Sequence, residues 1–76
     1  MYWVYVIKGE KGIFYKGFTN NLERRLMEHA NGKTETTRRM GKLELVFVQV
    51  CDTRAEAREL EKYLKSGIGR EIIKNI

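Results

Sequence analysis

Residues 2–7, Tyr-Trp-Val-Tyr-Val-Ile, are aromatic or β-branched without exception and give way to Lys8-Gly9-Glu10-Lys11-Gly12. Such side chains crowd a helix but fit a pleated surface, so the run predicts a strand and the glycine-bracketed segment after it a turn. Residues 13–18, Ile-Phe-Tyr-Lys-Gly-Phe, resume the same chemistry. The two segments predict a β-hairpin, with Gly17 marking a bulge or a close backbone approach. A third strand is expected over 43–50, where Leu-Glu-Leu-Val-Phe-Val-Gln-Val alternates at its ends and is apolar in the middle, the pattern of a strand buried in a sheet.

Helices are announced by their ends. Asn20 is the N-cap candidate for a helix over about 21–30, with Glu23 three residues on and Gly32 as its stop. Thr53-Arg-Ala-Glu56 is a capping-box pattern opening a helix over 54–65 that ends near Ser66-Gly67. The tail from Gly69 onward predicts a short third helix turning Ile72, Ile73 and Ile76 inward. The expected order is β-β-α-β-α-α.

One Cys and one His in 76 residues exclude an intramolecular disulfide and a four-ligand Cys/His zinc site. The expectation is one domain over 1–76 held by a small hydrophobic core, because two cores would each fall below the ~40 residues at which staples become necessary. Cys51 reads as a buried free thiol in a reducing compartment. No stretch approaches the roughly 18–20 apolar residues of a membrane span, and the apolar start is too short for a signal peptide, so no membrane partner and a cytoplasmic or nucleoid location are expected.

The charge is unevenly placed. Residues 1–42 carry nine Lys/Arg against four Glu, residues 43–76 six basic against six acidic side chains, so the whole net charge of +5 lies in the first part. The excess favours a polyanionic partner, nucleic acid ahead of membrane, since no strongly basic amphipathic helix is evident; the alternative is that it serves solubility alone. Lys33, Arg38, Arg39 and Lys42 share the helix-to-strand loop with Thr34, Thr36 and Thr37, a proline-free polar segment suited to gripping phosphates. Nothing here resembles a base-reading recognition helix, which points to low sequence specificity and selection by structure such as branches, flaps or nicks.

At about 100° per residue, Leu22, Leu26 and Ala30 share one face of the first helix and Arg25 and His29 adjoin it, while Arg24 and Glu28 point away. In the second helix Ala57, Leu60, Leu64 and Glu61 lie together, with Glu56, Glu59 and Lys62 opposite. An inward arginine needs an anionic partner. Either Arg25 and Glu61 bridge across the core, or they flank a common site, the first for a phosphate and the second for a metal. Tyr5 and Tyr15 share a sheet face if the hairpin pairs residues whose numbers sum to an even value, such as Ile7 with Ile13. They then either fill a strand surface or supply a phenol as a base.

Val4-Tyr5-Val6, Tyr15-Lys16-Gly17, Arg25 within Asn21-Leu-Glu-Arg-Arg-Leu-Met-Glu-His29, and Glu61 within Ala57-Arg-Glu-Leu-Glu-Lys-Tyr-Leu-Lys65 together resemble the GIY-YIG nuclease superfamily over nearly the whole chain. The likeness is to small stand-alone bacterial members, related to the nuclease domains of the excision-repair incision subunit and of GIY-YIG homing endonucleases. It implies an α+β fold, a three-stranded antiparallel sheet flanked by helices, and hydrolysis of a DNA phosphodiester with one divalent metal, Mg2+ with Mn2+ as substitute, in repair or recombination. The motif tyrosines carry over to Tyr5 and Tyr15, the helix arginine to Arg25, the metal-binding glutamate to Glu61, and the late asparagine, more loosely, to Asn75. Either tyrosine could help deprotonate the attacking water, Arg25 would hold the phosphate, and Glu61 would orient the magnesium. Val4, Val6 and Lys16 depart from the name-giving pattern, and Lys16, on the opposite face from Tyr15, reads as a surface charge. His29, one turn beyond Arg25, has either a catalytic role, through a hydrogen bond to a phosphate or a tyrosine, or a structural one.

Three readings remain open at this level: a DNA endonuclease, a nucleic-acid-binding or adaptor module that keeps the fold without turnover, and a small fold held by an Arg25–Glu61 bridge. The size of the chain leaves room for a homodimer or an accessory protein that keeps DNA in place.

Overall fold

The computed structural model describes residues 1–75, so Ile76, expected to face inward, lies outside the described residues. Strands β1 (Tyr2–Gly9) and β2 (Phe14–Thr19) are followed by α1 (Leu22–Ala30), a one-turn α2 (Glu35–Arg38), β3 (Leu43–Cys51), α3 (Arg54–Lys65) and α4 (Gly67–Lys74). The fold is α+β, and the expected six elements occur in order with α2 added inside the loop that was expected to be irregular. Four residues make too short a helix to leave a periodic signal.

The sheet is antiparallel with order β2-β1-β3. Its central strand is β1, whose Val4, Tyr5, Val6 and Ile7 are all buried because both faces are covered. Val4 and Val6 pack with Ala57, Leu64 and Ile73 of α3 and α4. Tyr5 and Ile7 pack with Leu22 and Leu26 of α1 and with Met40. The third strand is therefore an edge, not a buried strand as expected, and its Leu45, Val48 and Val50 are exposed. An extra residue, Val46, shifts the β1–β3 pairing between Val6 and Ile7, a bulge that twists this edge.

In the hairpin, Ile7 pairs with Tyr15 and Tyr5 with Gly17. The partner is not Ile13, but the sum is even, so Tyr5 and Tyr15 do share a face. Gly12, at φ 80°, supplies the left-handed residue that the turn needs.

Local caps refine the helix starts. Asn21, not Asn20, caps α1: its side chain accepts from the Arg24 amide at 3.0 Å, and its own N–H is held by the Thr19 hydroxyl at 3.1 Å. Thr53 caps α3 from the expected position, accepting from the Glu56 amide at 3.1 Å. In α4, Ile73 is buried as expected, whereas Ile72 is exposed. Ile72 stands about 100° round the helix from Ile73, outside the stripe that α3 and the sheet cover. Cys51 is a buried free thiol.

Candidate active site

Tyr5 projects from the central strand over Gly17 of β2. A side chain on Gly17 would bring a Cβ to 2.8 Å from the Tyr5 hydroxyl oxygen and 3.2 Å from the Tyr15 ring. The glycine expected to mark a close approach thus lets the two tyrosines lie side by side, rings 6.3 Å apart and nearly parallel. From the last turn of α1, His29 meets both rings edge-on, at 4.7 Å from Tyr15 and 5.7 Å from Tyr5. The buried His29 imidazole is hydrogen-bonded through Nε2 to the Tyr5 hydroxyl at 2.8 Å and through Nδ1 to the Thr37 hydroxyl at 2.9 Å.

Arg25, one turn before His29, is half-buried and donates to Glu28 at 3.0 Å. It forms no ion pair with Glu61. The wheel turned Glu28 away, but a long arginine reaches an i+3 carboxylate along the helix surface. The phenols act on the guanidinium as well: Glu28 first, then Tyr5 and to a smaller extent Tyr15, hold Arg25 even more firmly protonated than usual. Its hydrogen bond in turn holds the Glu28 carboxyl below the ordinary range.

Burial pushes Tyr5 up to about 12; Arg25 opposes the shift, while Tyr15 and Glu61 add to it. Burial and then the Arg25 charge push His29 down, against a smaller pull from Glu28. The resting pair is thus a neutral phenol and a neutral imidazole. A stability effect follows from Tyr5. Below pH 10 its contribution is complete; between 10 and 12 the unfolded chain releases a proton that the folded protein keeps, so folding weakens by about 2–3 kcal/mol. Urea midpoints of the wild type and Tyr5→Phe should converge across that window, and a gap unchanged by pH would count against this account.

Glu61 enters from the other layer, on the turn of α3 between buried Ala57 and Leu64. Its side chain is mostly covered, at 19% exposure, and its carboxylate lies 3.6 Å from the Lys65 ammonium. Among the described residues no cluster of three His, Cys, Asp or Glu side chains could hold a metal. A lone carboxylate still fits a magnesium ion that keeps waters and takes its remaining ligands from phosphate, provided Lys65 swings away.

The other expected residues fall outside this centre or at its rim. Asn75 is exposed at the end of α4, donating to the Glu71 carbonyl at 3.1 Å. Lys33, Arg38, Arg39 and Lys42 are all exposed around α2. Arg39 is paired with Glu35 at 2.6 Å, whereas Arg38 and Lys42 line one surface pocket with His29 and Thr37. Lys16 is half-buried on the opposite face, and burial, then Arg70 and Lys65, push its amine down. Sequence reasoning missed Thr37 as a site residue and grouped it with the polar loop; only its place three residues after the Thr34 cap and three before buried Met40 hinted that it points inward.

Among the described residues no helix is long and apolar enough to cross a membrane. A UPF0213 protein of Clostridium perfringens is 38% identical over 66 residues, covering 86% of this chain and 71% of the relative. One from Photorhabdus laumondii is 40% identical over 65 residues, and there the chain spans only 62% of the relative's length. The solution NMR structure of a UPF0213 protein from Bacillus halodurans superimposes with a TM-score of 0.60 at 31% identity, over 96% of this chain and 82% of that one. Residues 1–71 match the GIY-YIG catalytic domain, a span that takes in both tyrosines, Arg25, His29 and Glu61, and with this fold behind them the chain belongs to the GIY-YIG family.

Proposed function

We propose that this protein is a divalent-metal-dependent DNA endonuclease that hydrolyses phosphodiester bonds with low sequence specificity, selecting substrates by structure, in DNA repair or recombination. The observation that carries this reading is the convergence of Tyr5, Tyr15 and His29, packed ring against ring one helical turn from Arg25, with the Glu61 charge near enough to act on Tyr5. Arg25 holds the scissile phosphate through the donors that Glu28 leaves free, and offsets charge growing on its oxygens. Tyr15, half-buried on an edge strand, is the phenol open to substrate, so it orients the attacking water and, as phenolate, takes its proton. Tyr5 is sealed at 1% exposure and acts with His29 to support Arg25 and Tyr15. Glu61 is the residue that would hold magnesium, or manganese in its place, whose chemistry when bound is to stabilise the leaving oxygen. Lys33, Arg38 and Lys42, with Arg39 once it leaves Glu35, grip the flanking backbone.

A second reading, a nucleic-acid-binding or adaptor module without turnover, draws on one observation: Glu61 is already paired with Lys65. The test is cleavage of supercoiled plasmid and of branched and flapped duplexes with magnesium or manganese, beside Glu61→Ala and an EDTA control. Metal-dependent nicking lost in Glu61→Ala, with DNA binding retained, is the expected result. Salt-sensitive binding by the wild type without any cleavage would replace the nuclease with the binding module.

A further inference from the structure

We propose that Thr37 sets which nitrogen of His29 carries the proton, and through it the direction of the Tyr5 hydroxyl, making Thr37 a positioning residue for Arg25. The catalytic part of this inference rests on the nuclease reading above. Thr37 is 1% exposed, in the single turn of α2, and its hydroxyl donates to the Thr34 carbonyl at 3.2 Å. A hydroxyl has one hydrogen, so with it given to Thr34 the oxygen can only accept from His29 Nδ1 at 2.9 Å. A neutral imidazole has a single N–H; with that hydrogen on Nδ1, Nε2 presents a lone pair and accepts the Tyr5 proton at 2.8 Å.

The reverse arrangement makes fewer bonds. If Thr37 donated to Nδ1, then Nε2–H would donate to Tyr5, and the Tyr5 hydrogen would be left buried beside Arg25, which has donors only. With the assigned pattern all three hydrogens have acceptors. The consequence reaches the phosphate-holding group. A Tyr5 hydroxyl that donates to His29 turns its lone pairs toward Arg25 and steadies the guanidinium; turned around, it would aim a hydrogen at a cation.

His29 is the only histidine of the chain, so its ring nitrogens are read without ambiguity by 15N-edited NMR. The wild type should show the Nδ1–H tautomer alone, Thr37→Val, in which either tautomer leaves one hydrogen without an acceptor, a substantial share of the Nε2–H form, and Thr37→Ser the wild-type pattern again. In cleavage assays Thr37→Val should lower kcat by up to about tenfold, the worth of one hydrogen bond in the transition state, with KM little changed and Thr37→Ser near the wild type. An Nε2–H tautomer in the wild type, or no change of tautomer in Thr37→Val, would overturn the assignment, and the first of these needs no variant to fold. A shifted tautomer population with unchanged kcat would overturn the positioning role. Absence of cleavage by the wild type would count against the nuclease and the positioning role alike, while the NMR outcome still decides the assignment.

Discussion

Arg25→Ala should lower DNA cleavage by about 10²- to 10³-fold, the usual cost of removing one preorganised group that meets charge in the transition state. The guanidinium stands one helical turn from His29 and acts on the Tyr5 phenol. Nothing else in the site offers a planar fork to a phosphate, so Arg25→Lys should recover a part of the rate but not all of it. Stability should hardly move, because the Arg25–Glu28 pair lies on the helix surface with both side chains about one-third exposed, where such pairs contribute at most about 1 kcal/mol. Single-turnover cleavage and a thermal melt of the same samples separate the two effects. Cleavage within threefold of the wild type, with the melt unchanged, would remove Arg25 from the mechanism.

Gly69→Ala should have the largest effect on the fold. A Cβ at this buried glycine would run into the Tyr63 carbonyl and stand 2.6 Å from the Leu64 Cα, both backbone atoms of α3 that cannot rotate aside. The only relief is to lift α4 off α3, which unseats Ile73 from Val4, Val6 and Leu64. Overpacking against backbone costs about 3 kcal/mol or more, a large share of the roughly 4–11 kcal/mol expected for a chain of this size, so Tm should drop by at least about 12 °C. Gly67, two residues earlier, has open space where its Cβ would go. Gly67→Ala should therefore be neutral or slightly stabilising, and equal melting of the two variants would refute the close packing of α3 on α4.

Much of this was legible in the sequence because it is local. The Thr53 hydroxyl accepts from the Glu56 amide and donates to the Glu56 carboxylate within one turn, so the pattern names its own structure. The aromatic and β-branched runs determine β1 and β2, and the alternation of side chains along a strand puts Tyr5 and Tyr15 together once the register is even. The spacing on α1 brought Arg25 and His29 toward the tyrosines, and the spacing on α3 brought Glu61 among buried neighbours. Asn20 and Asn21 are equal as caps by residue type; the Thr19 hydroxyl holding the Asn21 amide decided between them.

What the tertiary structure alone decided is which layer covers which face. An apolar run in β3 reads the same at the centre or the edge of a sheet, and only the packing of two helical layers on β1 made β1 the centre and left Leu45, Val48 and Val50 exposed. The partners of the charged groups were settled the same way, with Arg25 on Glu28 and Glu61 on Lys65 in place of a bridge between them. Thr37 is the sharpest case: a threonine in a polar loop carries no signal of its own, and it became a buried acceptor because Met40, three residues on, is drawn into the core against Tyr5 and Ile7. Periodicity encodes which side of an element is apolar; burial and hydrogen bonding depend on what arrives there from distant parts of the chain.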